Sequence, residues 1–147
     1  MSLGKIFDIA GSGMSAQSVR LNTTASNIAN AETVSSSTDA TYRARKPVFA
    51  AIQAEVLNGG RPSFAAAEDP GRGVAVQGIV ESDAPLERRY QPDHPKADAD
   101  GYVFYPNVNV VEEMADMISA SRSFQMNVEV MNSAKSMMQR LLTLGQQ

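Results

Sequence analysis

The sequence predicts an α+β protein in which a long helix at each end of the chain pairs with the other as a coiled-coil-like hairpin, around a small β-rich central module. Apolar repeats with alternating steps of four and three residues predict the helices, because this spacing keeps one helix stripe against a partner. The stretch between the repeats lacks this pattern and is interrupted by Pro and Gly. We therefore expect a discontinuous helical assembly domain over 1–33 and 107–147, and a β-rich module over 34–106.

The N-terminal repeat combines a regular apolar stripe with weak helix formers. The stripe consists of Leu3, Phe7, Ala10, Met14, Gln17, Leu21, Thr24 and Ile28. Gly, Ser, Asn and Thr fill most other positions, and these residues have low helix propensity. Charges are few, whereas a helix facing water normally has a charged outer face. The segment is either a helix in an ordinary monomeric core or one that is loose alone and becomes helical among crowded neighbours. We favour the second interpretation.

The central module has short stretches of strand character at 41–56, 73–80 and 102–104. Pro47 places the first of these at a sheet edge or a bulge, since proline cannot donate to a ladder. A turn is expected at 58–60 and an exposed connection over 61–72. The proline-containing stretch 81–100 cannot stay regular for long.

The C-terminal repeat carries clear signals for a long helix. Asn109 followed by Glu112 has the spacing of an N-cap and capping box, so Val110 should be the first helical residue. About 35 residues at 1.5 Å each give a helix of roughly 50 Å. Its stripe is Val110, Met114, Met117, Ser121, Phe124, Val128, Met131, Lys135, Met138 and Leu142. Methionine adapts to irregular gaps, so this stripe is suited to packing against non-identical partners.

Composition excludes several classes of function. A net charge of −3 gives no electrostatic footprint for nucleic acid. The absence of cysteine excludes disulfides, zinc–thiolate sites and thiol catalysis. No apolar run reaches the roughly 18 residues that a membrane span needs. The N-terminal apolar stretch is short and contains Asp8, unlike a secretory signal, so we expect any export to use another route.

Candidates for chemistry are weak throughout the chain. The single histidine, His94, lies near Asp98 and Asp100, but a calcium loop would also need a bidentate glutamate at the correct spacing. We interpret this segment as a structural turn rather than a metal site. The serines have no accompanying base in a nucleophile pattern. We predict neither enzymatic activity nor a cofactor, metal or small-molecule substrate.

Two motifs resemble a known family. The stretch 21–33, LNTTASNIANAET, resembles the N-terminal motif of flagellar rod, hook and hook-associated proteins, written L-N-x-x-A-x-N-I-A-N-x-x-T. The stretch 94–114, HPKADADGYVFYPNVNVVEEM, is similar to the segment that leads into the C-terminal helix of proximal-rod subunits. Where many relatives place Pro or Gly soon after the first motif, this chain has Val34 and a serine run.

The resemblance implies a structural subunit of the bacterial flagellar basal-body rod, which transmits torque across the periplasm. Members are exported unfolded by the flagellar type III apparatus without a cleaved signal. Their terminal helices pair in the innermost layer of a helical tube, in contact with copies of the same chain and other rod subunits. The motif positions that carry over as assembly positions are Leu21, Asn22, Ala25, Asn27, Ile28 and Asn30.

Together with the apolar stripes, these positions define the predicted assembly interface. It comprises Phe7, Met14, Leu21, Asn22, Ala25, Asn27, Ile28, Asn30, Val110, Met114, Met117, Phe124, Val128, Met131, Met138 and Leu142. The main alternative is a cytoplasmic coiled-coil adaptor that forms a closed oligomer, and a more remote one is an enzyme whose site is assembled across subunits. A closed oligomer would have a sharp size, whereas a rod subunit would associate open-endedly.

Overall fold

The structure is a computed structural model that describes residues 3–52 and 73–144. The turn expected at 58–60 and the connection expected over 61–72 lie outside these residues. The elements are α1 (Leu3–Asn30), β1 (Arg45–Ala51), β2 (Val74–Glu81), β3 (Glu87–Tyr90), β4 (Tyr102–Tyr105) and α2 (Val110–Leu144). Two long terminal helices with a small module of antiparallel strands between them confirm the predicted α+β class.

The two helices pack side by side and run antiparallel. Near one end of the pair, an Arg20 guanidinium nitrogen lies 2.6 Å from an Asp116 carboxylate oxygen. Further along, Gly13 lies against the Asn127 side chain. Residue numbers thus rise along α2 as they fall along α1, which is the arrangement of a helical hairpin.

Small side chains form the line along which the helices meet. On α2 this line includes Ala120, which is fully buried, and Ala134. On α1 it passes Gly13, where an added Cβ would lie 2.9 Å from the Asn127 amide nitrogen. The helices can therefore approach closely. The repeats suggested that their large residues would form the centre of the contact. In the structure these residues do not lie there.

Helix α1 is continuous in the single chain, in contrast to the expectation that it is loose without neighbouring subunits. Weak propensity is outweighed here by tertiary packing, which commonly supplies most of the stability of a helix. Helix α1 is covered by α2 on one side and by β1 and β2 on another. Ala16, Thr23, Thr24 and Asn27 are buried in this packing.

Strands β1 and β2 form an antiparallel pair that lies against α1. Their register shifts between Val48 and Phe49, directly after Pro47, which confirms the expected bulge or edge position of this proline. The Val74 amide donates to the Ser12 hydroxyl at 3.1 Å. This bond fixes the far end of the strand pair to the N-terminal half of α1.

Strands β3 and β4 form a second antiparallel pair. The extended piece at 102–104 was expected, but β3 was not, because three of the four residues in its sequence Glu-Arg-Arg-Tyr are charged and all four are exposed. Its arginines instead lie over tyrosine rings of β4, with Arg88 at 3.9 Å from the Tyr102 centroid. Arg89 lies 4.4 Å from the Tyr105 centroid. Cation–π contacts of this kind stabilise a strand that has no apolar face.

Helix α2 begins at Val110, as the sequence predicts. The Asn109 side-chain oxygen accepts the Val111 amide at 3.1 Å, which confirms the N-cap. The other half of the capping box is different, since Glu112 accepts a hydrogen bond from Lys46 of β1 at 3.0 Å. This bond is the main cause that raises the pKa of Lys46 above its ordinary 10.5. The residue that looked like a local cap therefore links α2 to the central module.

Helix α2 extends beyond the end of its partner. It has 35 residues against 28 in α1. Given the pairing of Arg20 with Asp116 and Gly13 with Asn127, the start of α1 lies level with residues near 135. The last two turns of α2 therefore overhang the hairpin, and their large apolar side chains are all exposed: Met137, Met138, Leu141 and Leu142.

Candidate assembly interface

The large residues of the two repeats lie together on one side of the hairpin. At 100° per residue, each stripe is roughly a quarter of a turn from its helix's contact line. Because the helices are antiparallel, both quarter turns lead to the same side, opposite β1 and β2. We call this surface the shared apolar face, and its members, all half-buried, are Phe7, Met14, Leu21, Ile28, Met117, Phe124, Val128 and Met131.

Other residues predicted from the α2 repeat are more exposed. Val110 and Met114 lie near the start of the helix, and Met138 and Leu142 lie in the overhang. The chain thus leaves large apolar side chains uncovered or half-covered along the whole of α2. Surface of this kind usually indicates a site of protein–protein contact.

The motif asparagines have different structural roles. Asn27 is only 1% exposed. Its amide nitrogen donates to the Arg45 carbonyl at 2.8 Å, and its oxygen accepts from the Arg45 amide at 3.0 Å and from the Tyr42 hydroxyl at 2.8 Å. Asn27 therefore completes the start of β1 as a neighbouring strand would. Its hydrogen bonds link α1 to the central module.

Asn30 and Asn22 are used differently. The Asn30 side-chain amide donates to the Ser26 carbonyl, four residues earlier, at 2.8 Å, so it bonds back onto its own helix near the helix end. Asn22 and Ala25 lie on the exposed outer side of α1.

Asn107 is a structural residue that the sequence did not reveal. Its oxygen accepts the Ala44 amide at 2.8 Å, and its amide nitrogen donates to the carbonyls of Ser82 at 3.2 Å and Ala84 at 2.8 Å. One side chain thereby joins three segments that are distant in sequence. In the sequence, Asn107 is visible only as part of the Asn-Val-Asn stretch before α2. Within that stretch, only Asn109 has a recognisable capping pattern.

A charged cluster connects α1, β1 and α2. Arg20, Lys46, Glu113 and Asp116 line one cleft between these elements. Glu113 is buried there, whereas the Arg20–Asp116 pair remains partly exposed. The cluster sets the rotation of the two helices relative to the strands, since opposite charges from each element meet at one place.

The structure gives the polar loop before β4 a structural role. One Asp98 carboxylate oxygen accepts the amides of Asp100 at 3.0 Å and Tyr102 at 2.8 Å, so it closes a turn. Within residues 3–52 and 73–144, no three acidic, histidine or cysteine side chains are grouped closely enough to hold a metal ion. Neither of the two helices described is both long and apolar enough to cross a bilayer.

Substitutions in this loop should affect stability rather than assembly. Asp98→Ala removes an acceptor for two backbone amides and should lower the free energy of unfolding by about 1 kcal/mol. His94→Ala should change it by less, and both variants should associate as the unsubstituted chain does. Urea unfolding and measurements of association test the two effects, with Asp98→Asn as a control that keeps an acceptor oxygen. Loss of association in His94→Ala would contradict the structural role.

Comparison with protein families identifies the class of the chain. Residues 7–34 match the family described as flagella basal body rod protein. Residues 99–144 match the family described as flagellar basal body rod FlgEFG protein C-terminal. These matches cover most of α1 and all of α2, which are the elements that carry the predicted interface. The fold and its surface are those of a flagellar rod protein.

Curated relatives narrow this class. The chain is 49% identical to the flagellar basal-body rod protein FlgC of Salmonella typhimurium, over 99% of this chain and 100% of the relative. Identity to the Escherichia coli protein of the same name is 50%, with the same coverage. The FlgC of Borreliella burgdorferi is 37% identical over 99% of each chain. The chain belongs to the FlgC family of flagellar basal-body rod proteins.

Membership confirms the family expected from the two motifs, together with the function and location that it implied. The chain is a structural subunit of the flagellar basal-body rod, and it assembles there with other rod subunits. The relatives are named flagellar basal-body rod proteins, which agrees with the structural class that the sequence predicted.

Proposed function

We propose that the chain enters the rod through its two terminal helices, as one discontinuous assembly domain over 1–33 and 107–147. Together the helices form the wall of a helical tube that transmits torque across the periplasm. The module over 34–106 lies outside this wall. The observation that carries the proposal is the shared apolar face, which the hairpin forms but does not cover.

The packing of the hairpin explains why this face is available. Ala120 and Ala134 allow the two helices to meet without using their larger side chains. Phe7, Leu21 and Phe124 consequently remain half-buried in one chain. Covering a side chain of this size contributes about 1.5–3 kcal/mol when it is complete. A row of eight such residues on one face is sufficient to drive association with further helices.

The positions predicted from the sequence fall into three groups in this proposal. Members of the shared apolar face, with Val110, Met114, Met138 and Leu142, contact other subunits directly. Asn27 and Asn30 act within the chain, since their side chains are hydrogen-bonded to Arg45 and Ser26. Asn22 and Ala25 lie on the outer side of α1, available to a neighbour.

The same proposal specifies the proteins that the chain contacts and the route by which it is exported. The chain contacts copies of itself and other rod subunits, and it reaches the rod through the flagellar type III export apparatus without a cleaved signal. It has no catalytic activity and binds no nucleic acid, metal, cofactor or small-molecule substrate. The acidic balance, with a net charge of −3, supports the exclusion of nucleic acid.

Basal bodies from a deletion strain test the proposal. Removing the chain should leave cells without complete rods, and the wild-type gene should restore them. In concentrated solution the purified chain should give a broad series of sizes that lengthens with concentration, because unlike surfaces associate without closure. A single sharp oligomer, with rods intact in the deletion strain, would instead support the closed adaptor.

A further inference from the structure

Helix α2 carries a second apolar surface, on the side directly opposite α1. Its members are Val111, Met114 and Ile118, which are 76%, 54% and 53% exposed. The spacing of three and four residues places them on one stripe of the helix. This outward patch is separate from the shared apolar face, which lies a quarter turn away. No described element of the chain covers it.

The outer side of α1 has the complementary character. Steps of four and three residues align its small or short side chains, which are Gly4, Asp8, Gly11, Ser15, Ser18, Asn22, Ala25 and Ala29. A helix facing water normally has long charged residues there. This side instead resembles the α1 line that already accepts α2 within the chain, where small residues also predominate.

Nothing in residues 3–52 and 73–144 explains a glycine at position 11. A Cβ added there would meet nothing within 4 Å, whereas one added at Gly13 would collide with Asn127. Glycine inside a helix is unfavourable because it restricts a freer backbone and contributes no packing. An interior glycine that faces open space therefore indicates close approach by something outside the chain.

Charge fixes how the two surfaces would align. Asp8 lies one turn before Gly11, and Arg122 lies one turn after Ile118. Neither forms an ion pair with another side chain in the described parts of the molecule. In an antiparallel contact, pairing Asp8 with Arg122 brings Ile118 over Gly11 and Ala115 beside Ser15. Val111 then meets Ser18, so Val111 and Ile118 each face a small residue.

We propose that the outward patch of α2 docks on the outer side of α1 of a second copy of this chain, in this register. The inference rests on the proposed assembly through the terminal helices and names one contact within it. Ile118 is level with Arg20 in its own chain but faces Gly11 of the next. Successive copies are thus displaced along the helix axis by about 13 Å, at 1.5 Å per residue. Such a row climbs instead of closing into a ring.

Disulfide cross-linking tests the contact without interference, since the chain has no cysteine of its own. Cells producing both Ser15→Cys and Ala115→Cys chains should yield basal bodies with an oxidised dimer that joins these two positions. The control mixture of Ser15→Cys with Ser133→Cys places the second thiol about 27 Å further along α2 and should give no dimer.

Other outcomes overturn the proposal. A dimer from Ser15→Cys alone or Ala115→Cys alone would show like surfaces in contact. Absence of a 15–115 dimer, or its replacement by a cross-link to another rod protein, would show that a different neighbour covers the patch. The proposed function would survive any of these results, because it fails only if the terminal helices are dispensable for the rod.

Gly11→Leu provides an independent measurement. The Tm of the isolated Gly11→Leu chain should equal or exceed that of the wild type. Gly11→Ala should raise the Tm by about 3–5 °C, because alanine is a better helix former than glycine. Incorporation of Gly11→Leu into rods should nevertheless fall at least tenfold. The comparison variant Gly13→Ala should lower the Tm, because its Cβ meets Asn127. Normal incorporation of Gly11→Leu would overturn the close contact.

Discussion

Leu21→Asp is expected to abolish rod assembly while leaving the isolated chain folded. Leu21 is half-buried within one chain, so a carboxylate there can still reach water. In the assembled rod the shared apolar face is covered, and an unpaired charge would be buried at a cost of several kcal/mol. Ile28→Asp, two helical turns away on the same face, should have the same effect.

Electron microscopy of basal bodies and swimming assays measure the loss of rods, and circular dichroism and limited proteolysis of the purified chain measure retention of the fold. Ser36→Asp adds the same charge at an exposed loop position and should be tolerated. Normal rods in Leu21→Asp would exclude the shared apolar face from the assembly contact. Unfolding of the purified variant would show that the face is part of the monomer core.

Asn27→Ala should produce the largest loss of stability among substitutions of polar residues in α1. It removes the partners of the Arg45 amide and carbonyl and of the Tyr42 hydroxyl, at a buried position. Leaving such groups unsatisfied costs about 1–3 kcal/mol each, so we expect a total near 3 kcal/mol once water reaches part of the site. Urea unfolding followed by circular dichroism gives the value directly.

Asn22→Ala is the matched comparison, because it changes the same residue type on the same helix at an exposed position. Its free energy of unfolding should remain within about 0.5 kcal/mol of the wild type. Equal losses at the two positions would mean that Asn27 does not hold β1 to α1. Comparing the two substitutions distinguishes the roles of Asn22 and Asn27, which look equivalent in the sequence motif.

The sequence predicts local features of this fold well. The start of α2 follows from Asn109, whose capping geometry depends on residues within one turn. Pro47 predicts the irregular position in β1, since its missing amide affects only its own strand. Each of these signals depends on neighbours in sequence, so no knowledge of the tertiary structure is needed.

Features that depend on distant partners were less accessible. The apolar stripes do not reveal which side of each helix forms the hairpin, because covering large residues and approaching through small ones are both ways to pair helices. Glu112 has the spacing of a capping-box residue, but its side chain pairs with Lys46, which is 66 residues away. Three of the four residues of β3 are charged, and contacts with the tyrosine rings of β4 account for the position of the strand.

The overhang of α2 gives the molecule a direction. Leu141 and Leu142 project beyond the first residue of α1, where their own chain offers no helix to cover them. At the opposite end, Asn30 ends α1 nearly level with Val110, where α2 begins, given the pairing of Arg20 with Asp116 further along. The two tips of one subunit are therefore unlike, because only one of them exposes apolar side chains on an unpaired helix end. We expect a stack of subunits that all point the same way to carry this difference at its two ends.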